Sequence, residues 1–327
     1  MFRRRPKLLA LAVPALTLFG LSGTADADSA ADIRCNDIAA LDQAITNANN
    51  STGPHTIRLA SRCVYTISTP SSTGGLGPNA LPRISGAVTL VGHDTTIRRD
   101  PDASQGFRIA EIDGPSGRLT VEGITATGGG YLDYAGTYLP TNGATLILRN
   151  SDVTNSIANN GGAIFVNQSS TLQVFDSVLQ GNSAIQGGAI YNGPGSTTQL
   201  SRTNLLMNQA AQYGGGLFTA GVSLTISNSS VSHNTAFLYG GGIYDDRHPM
   251  DIRSTRIDSN HAGLLGGGIY NAGTSTLTDS AVQGNSAGNG GGIYQDALGG
   301  TTLADSRVIR NTPNNCRPLN SVPGCAS

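Results

Sequence analysis

One signature constrains this chain more than any other. Gly-Gly-x-aliphatic recurs, ending at Ile164, Ile190, Leu217, Ile243, Ile269 and Ile293, at spacings of 26, 27, 26, 26 and 24 residues. An Asn stands eight or nine residues ahead of each, at Asn155, Asn182, Asn208, Asn234, Asn260 and Asn285, and Asn311 adds a seventh. Short apolar positions keep fixed offsets from that Asn. Three residues before it are Leu179, Leu205, Val231, Ile257, Val282 and Val308, and eight before it are Val174, Leu200, Ile226, Ile252, Leu277 and Leu303. Five before it lies a hydroxyl, at Ser177, Thr203, Ser229, Thr255, Ser280 and Ser306. These runs are too short for helices and lack a 3.6-residue period, so each repeat predicts two or three short strands joined by turns. One repeat cannot bury its apolar face alone, whereas stacked repeats bury a continuous core with equal positions about 4.8 Å apart. An Asn column can then form a ladder in which each amide donates to one neighbour and accepts from the next. That satisfies groups which would otherwise cost about 1–3 kcal/mol each. Asn also tolerates a left-handed turn, and the paired glycines supply positive φ and close approach between coils.

Composition supports this reading. The chain has 44 Gly, only two Glu (Glu111 and Glu122) and one Lys, Lys7, and 13% of it is charged. Such usage argues against helical bundles. Arg3, Arg4, Arg5 and Lys7 precede an apolar run from Leu8 to Leu21, and Ala25-Asp26-Ala27 offers a cleavage site. This reads as a secretory signal over residues 1–27, with a membrane anchor as the alternative that the short run disfavours. The mature chain then has 16 Arg and no Lys against 20 acidic residues, a formal charge of −4. Nothing there calls for a nucleic-acid ligand, and lysine-based catalysis is excluded. Four cysteines in an exported chain favour disulfides. Three pairings are possible; Cys35–Cys63 and Cys316–Cys325 close the shortest loops and are preferred, and zinc binding is the alternative, which no C-x-x-C spacing supports.

The motifs resemble those of right-handed parallel β-helices, a group that includes chlamydial polymorphic outer-membrane proteins and pectate-lyase-like secreted proteins. The first of these carry GGA[ILV] and F-x-x-N repeats. Gly161-Gly162-Ala163-Ile164 and Gly187-Gly188-Ala189-Ile190 match the former, while Leu179-Gln180-Gly181-Asn182 and Val231-Ser232-His233-Asn234 place an aliphatic residue where the latter has Phe. The resemblance covers residues 35–311. It implies an all-β, right-handed parallel β-helix of about 26-residue coils with a short N-terminal capping helix. Residues 28–327 would form one domain: cap and irregular coils over 35–118, regular coils over 119–311, a second cap over 312–327.

Residues 36–50 predict that helix, with Asn36 or Asp37 as cap and Ile38, Leu41, Ala44, Ile45 and Ala48 on its apolar face. Covering the first coil protects an edge that invites aggregation. Thr56–Leu59, Val64–Ile67, Val88–Val91, Thr96–Arg98, Phe107–Ile112 and Leu119–Ile124 read as strands of irregular early coils, and Gly128 to Thr145 as a long excursion.

With interior columns taken by packing, function is expected on outward positions or in loops that break the repeat. Asp245-Asp246-Arg247-His248, followed by Asp251 and Arg253, gathers charge where neighbouring coils have Asn192-Gly193 and Asn271-Ala272. Asp245, Asp246 and Asp251 could bind Ca²⁺, and Arg247, His248 or Arg253 could serve as base. Resemblance to pectate-lyase-like enzymes implies that apparatus, and a solvated turn with local ion pairs is the alternative. A second strip comprises His233, Arg256, Asp258, His261, Arg307 and Arg310, beside which an anionic glycan could lie. A third feature is the column Phe165, Tyr191, Phe218, Tyr244, Tyr270 and Tyr294, either a structural stack or a sugar platform. The fourth is Tyr131, Asp133, Tyr134 and Tyr138 in the excursion, suited to ligand contact. Asp279 and Asp305 should stack, at a position where Asp176 beside Arg202 points to a preference for turn-forming acids.

The leading expectation is a secreted, monomeric protein that binds, and by resemblance cleaves, an acidic polysaccharide, with β-elimination ahead of hydrolysis. The rival is a non-enzymatic β-helix adhesin. Resemblance to the polymorphic outer-membrane proteins favours the rival, and a chain ending at Ser327 without a sorting tail favours a soluble factor.

Overall fold

A computed structural model describes residues 29–73 and 75–325; the expected secretory signal lies outside them. The chain winds into a parallel β-solenoid whose described strands form three sheets of 19, nine and four strands. Equal positions of successive repeats pair in register. Leu172↔Thr198 and Val174↔Leu200 open a run that continues through Leu200↔Ile226, Ile226↔Ile252, Ile252↔Leu277 and Leu277↔Leu303 on the long sheet. Past a corner, the same sheet stacks Val153, Leu179, Leu205, Val231, Ile257, Val282 and Val308. The nine-stranded sheet stacks Ile164, Ile190, Leu217, Ile243, Ile269 and Ile293. These three columns face inward and, with few exceptions, are wholly buried. Each such side chain contributes about 1.5–3 kcal/mol relative to exposure.

Two polar ladders close the corners. In the amide ladder, Asn234 Nδ2 donates to Leu205 O (2.9 Å) and Asn260 Oδ1 (3.0 Å), while Asn234 Oδ1 accepts from the N–H and the Nδ2 of Asn208. The pattern runs from Asn182 to Asn311 and ends on Asn315. A parallel hydroxyl ladder takes backbone N–H groups of the preceding coil, as in Thr203 N to Ser229 Oγ (3.1 Å) and Thr255 N to Ser280 Oγ (3.1 Å).

Two expectations about these corners need correction. Asn155 is outside the amide ladder; Ser156 holds that position and donates its N–H to Asn182 Oδ1. The ladder Asn residues also do not carry the left-handed turn. The residue before each does, at Gly181, Met207, His233, Ser259, Gly284 and Arg310, and Asn155 belongs to that set. Asp176, Arg202, Asn228, Ser254, Asp279 and Asp305 are the equivalent left-handed corner before the hydroxyl ladder. The acids at that position are therefore turn residues.

Helix α1, Ile38–Asn49, caps the first coil. Asp37 accepts from Ala40 N (3.0 Å), and Leu41, Ile45 and Ala48 are buried. Disulfides Cys35–Cys63 and Cys316–Cys325 tie the two ends, and Val322 plugs the last coil. The stretch Gly128 to Thr145 is no excursion. Its strand Tyr138–Thr141 pairs with Ala110–Asp113 on one side and, through Tyr138, with Ile164 on the other. It forms an ordinary coil that lacks the Gly-Gly signature.

Candidate functional site

The charged turn after Ile243–Asp245 sends its groups to different places. Strand alternation points Ile243 inward, Tyr244 outward and Asp245 inward again. Asp245 is fully buried; Oδ1 accepts from His248 N (3.1 Å) and Oδ2 from Gly273 N (2.8 Å). It extends an inward polar column of Asn192, Thr219, Asn271 and Gln295. Burial raises its pKa to about 6, against the two N–H bonds that favour the anion. Asp246 lies outside near the tyrosine column, where, after burial, it raises the hydroxyl pKa of Tyr191 and Tyr244. Arg247 is exposed in a left-handed turn, and His248 is half-buried with its Nδ1 lacking a protein partner. Asp251 and Arg253 sit past a further corner on the long sheet, where the Arg253 guanidinium grips both Asp251 oxygens at 2.7–3.0 Å. Asp245, Asp246 and Asp251 thus do not converge, and among the described residues no three His, Cys, Asp or Glu side chains come together as a metal site.

The second strip is divided in the same way. Arg256 pairs with Asp258 (3.1 Å), and both face outward on the long sheet. His233 occupies the left-handed corner before the amide ladder, and His261 lies beyond that corner with Nδ1 at 2.9 Å from Ser286 Oγ. Arg256, Ala281 and Arg307 are register neighbours, and the small Ala281 leaves a groove of about 490 Å³ between the two arginines, edged by Ser254 and Asp279.

The aromatic column is a stack along the outside of the nine-stranded sheet. Tyr191, Phe218, Tyr244, Tyr270 and Tyr294 follow one another at 4.6–5.5 Å between centroids, with planes within 13°. Phe165 meets Tyr191 edge-on at 4.8 Å. Tyr213 and Tyr239 form a second short stack leaning on the first, at 5.1 Å from Tyr244 and 5.3 Å from Tyr270. The ring faces are occupied by each other, Phe165, Phe218 and Tyr270 are buried, and only Tyr191, Tyr244 and Tyr294 are partly exposed. Tyr270 spends its hydroxyl on Asp296 (3.0 Å).

The three tyrosines of the supposed excursion separate. Tyr138 is buried as the first residue of a strand, and burial pushes its hydroxyl pKa far up. Tyr131 lies over the Arg108 guanidinium at 4.9 Å, and Tyr134 stacks on Phe165 at 5.3 Å. The Arg108 network lies outside the repeat and was not among the residues singled out from the sequence. Arg108 is fully buried and bonds Glu111 (3.1 Å), Asn79 (3.2 Å) and Leu76 O (2.8 Å), and burial lowers its pKa to about 10. Arg83 joins Glu111 (3.4 Å) and Asp113. This network holds residues 75–82 against the early coils, where Leu76 packs on the cluster of Ala135, Leu139 and Phe165. The one available signal was the rarity of glutamate, Glu111 being one of two.

No family model matches this chain, and no curated protein matches it. A solved structure described as PfbA, a surface adhesin of Streptococcus pneumoniae, aligns over 88% of this chain and 97% of its own, at 8% identity and a TM-score of 0.37.

Proposed function

We propose that this protein is a non-enzymatic, extracellular β-solenoid that recognises polysaccharide through its outward faces. The observation that carries the reading is the dispersal of the charged turn. Cleavage by a lyase or a glycosidase needs an acid and a base brought to bear on one sugar unit. Here Asp245 serves two backbone N–H groups inside the wall, Asp246 adjoins the tyrosines, and Asp251 is held by Arg253 on another sheet. The two disulfides support an oxidising, extracellular setting. Repetition itself suits binding, because equal side chains recur at each coil and an extended polymer can meet several of them.

The test incubates purified protein with acidic and neutral polysaccharides, with Ca²⁺ or with chelator. Ultraviolet absorbance reports unsaturated sugars, reducing-end release reports hydrolysis, and affinity electrophoresis reports binding. Binding without either product is the expected result. Unsaturated product that disappears with chelator or in Asp246→Ala would restore the lyase reading, and reducing ends alone would make the protein a hydrolase.

A further inference from the structure

The face built on the four-stranded sheet carries no formal charge. Residues 157–160, 183–186, 209–213, 235–239, 261–265 and 286–289 contain no Asp, Glu, Lys or Arg. Ala158, Ala184, Ala210, Ala236 and Ala262 turn inward and are buried, and the next residue of each coil turns out. In three successive coils those outward residues are Ala211, Phe237 and Gly263. Phe237 is 73% exposed, and among the described residues its ring stacks on no other, unlike the tyrosine column. The small neighbours on both sides leave it standing in a groove of about 590 Å³, bordered by Gln209, Thr235 and His261. Gly263 keeps this space open, since a Cβ there would lie 2.1 Å from Phe237 O.

We propose that this groove is a binding subsite for a neutral polysaccharide, with a sugar ring laid on the Phe237 ring; the proposal rests on the glycan-binding reading above. A phenyl face carries negative quadrupole potential and attracts the polarised C–H bonds on the apolar side of a pyranose. Gln209 and Thr235 provide uncharged donors and acceptors for hydroxyls. His261, whose Nδ1 faces Ser286 Oγ, has Nε2 left for the same purpose. A few placed polar groups around an apolar surface make the usual composition of a small-molecule site. An acidic sugar would bring a carboxylate to a face that has no Arg or Lys to meet it, and that selects neutral polymers.

The experiment titrates the full chain with neutral polymers (β-glucan, xylan, galactomannan) and acidic ones (polygalacturonate, hyaluronate) by calorimetry, using wild type, Phe237→Ala and Ala211→Arg. Both positions are exposed, so unchanged far-UV dichroism and melting are expected to accompany the binding result. Removing the ring, or filling the groove while keeping the ring, should each weaken neutral-polymer binding by about tenfold or more. Neutral binding unchanged in both variants overturns the subsite and leaves the glycan-binding reading standing. So does binding confined to acidic polymers. No binding to any polymer overturns both. A wild-type dimer by light scattering that Phe237→Ala converts to monomer, with glycan affinity unaltered, assigns the face to a second copy of the chain and overturns the subsite.

Discussion

Asp245 is held inside the solenoid wall with each carboxylate oxygen facing a backbone N–H. Burial raises its pKa to about 6 from an ordinary 3.8. The folded chain therefore keeps a proton at pH values where the unfolded chain has released it. The associated stabilisation is full below about pH 4 and is lost as pH rises through 6. A shift of this size corresponds to on the order of 2–3 kcal/mol across that window. Wild type is accordingly expected to melt at falling temperature from pH 4 to pH 7. Asp42 and Asp152, also raised by burial, add to the slope with the same sign. Asp245→Asn, which matches Asn192 and Asn271 in the same column, should flatten most of it. Thermal unfolding of both proteins at four pH values measures this, and parallel profiles would remove Asp245 from the account.

At the scale of one element, the amide ladder carries buried polar bonds from coil to coil, from Asn182 to Asn311. Asn234→Ala deletes two donated and two accepted bonds. It takes the side-chain donor from Leu205 O and the acceptor from the Asn208 N–H in the interior, while Asn260 Oδ1 keeps the backbone N–H of residue 234 and Asn208 Nδ2 keeps Leu179 O. With about 1–3 kcal/mol per stranded group and partial relaxation, the expected loss is about 3–5 kcal/mol in urea unfolding. Asn311→Ala, at the ladder's end, should lose less, because Asn315 is close to the C-terminal cap and only part-buried in its bonds to Asn311. A terminal loss equal to the central one would mean that the ladder is not cooperative. Close coil packing sets a second limit. A Cβ on Gly241 would sit 2.4 Å from both Gly267 O and His261 O, so the second Gly of the signature is fixed by neighbours one coil away.

For the whole molecule, each coil contacts mainly the coils beside it, so stability propagates along one dimension and the ends decide where opening begins. Both ends carry a disulfide, over 28 and 9 residues of separation. Loop-closure entropy assigns about 3–4 kcal/mol to the longer and about 2–3 kcal/mol to the shorter. Mild reduction is expected to speed hydrogen exchange in Ser29–Ile33, α1 and Val64–Ile67 and in Cys316–Arg317. Thr197–Ser201 and Ser223–Ser227, in the middle, should keep their protection. Uniform loss along the chain would show the solenoid to unfold as one unit.

The sequence by itself determined the coil length, the three apolar columns, the amide ladder from Asn182 to Asn311 and the capping helix, and loop length favoured the disulfide pairs found over two other pairings. In a stacked fold, equal positions of successive repeats become spatial neighbours, so periodicity in one dimension is the contact map. Tertiary structure alone decided what breaks the period. Asp245 and Asp246 are adjacent in sequence, yet one lies inside the wall and the other beside the tyrosines, because a one-residue step reverses the side of a strand. The same step moves Asn155 to a corner and Ser156 onto the ladder. Glu111 meets Leu76 N and Asn79 because the non-repeating residues 75–82 fold back over the early coils, beside an Arg108 that stands three residues from it. Phe237 stands clear because Ala211 and Gly263 are its neighbours across the stack, a relation that depends on coil register and on which way each corner turns the chain.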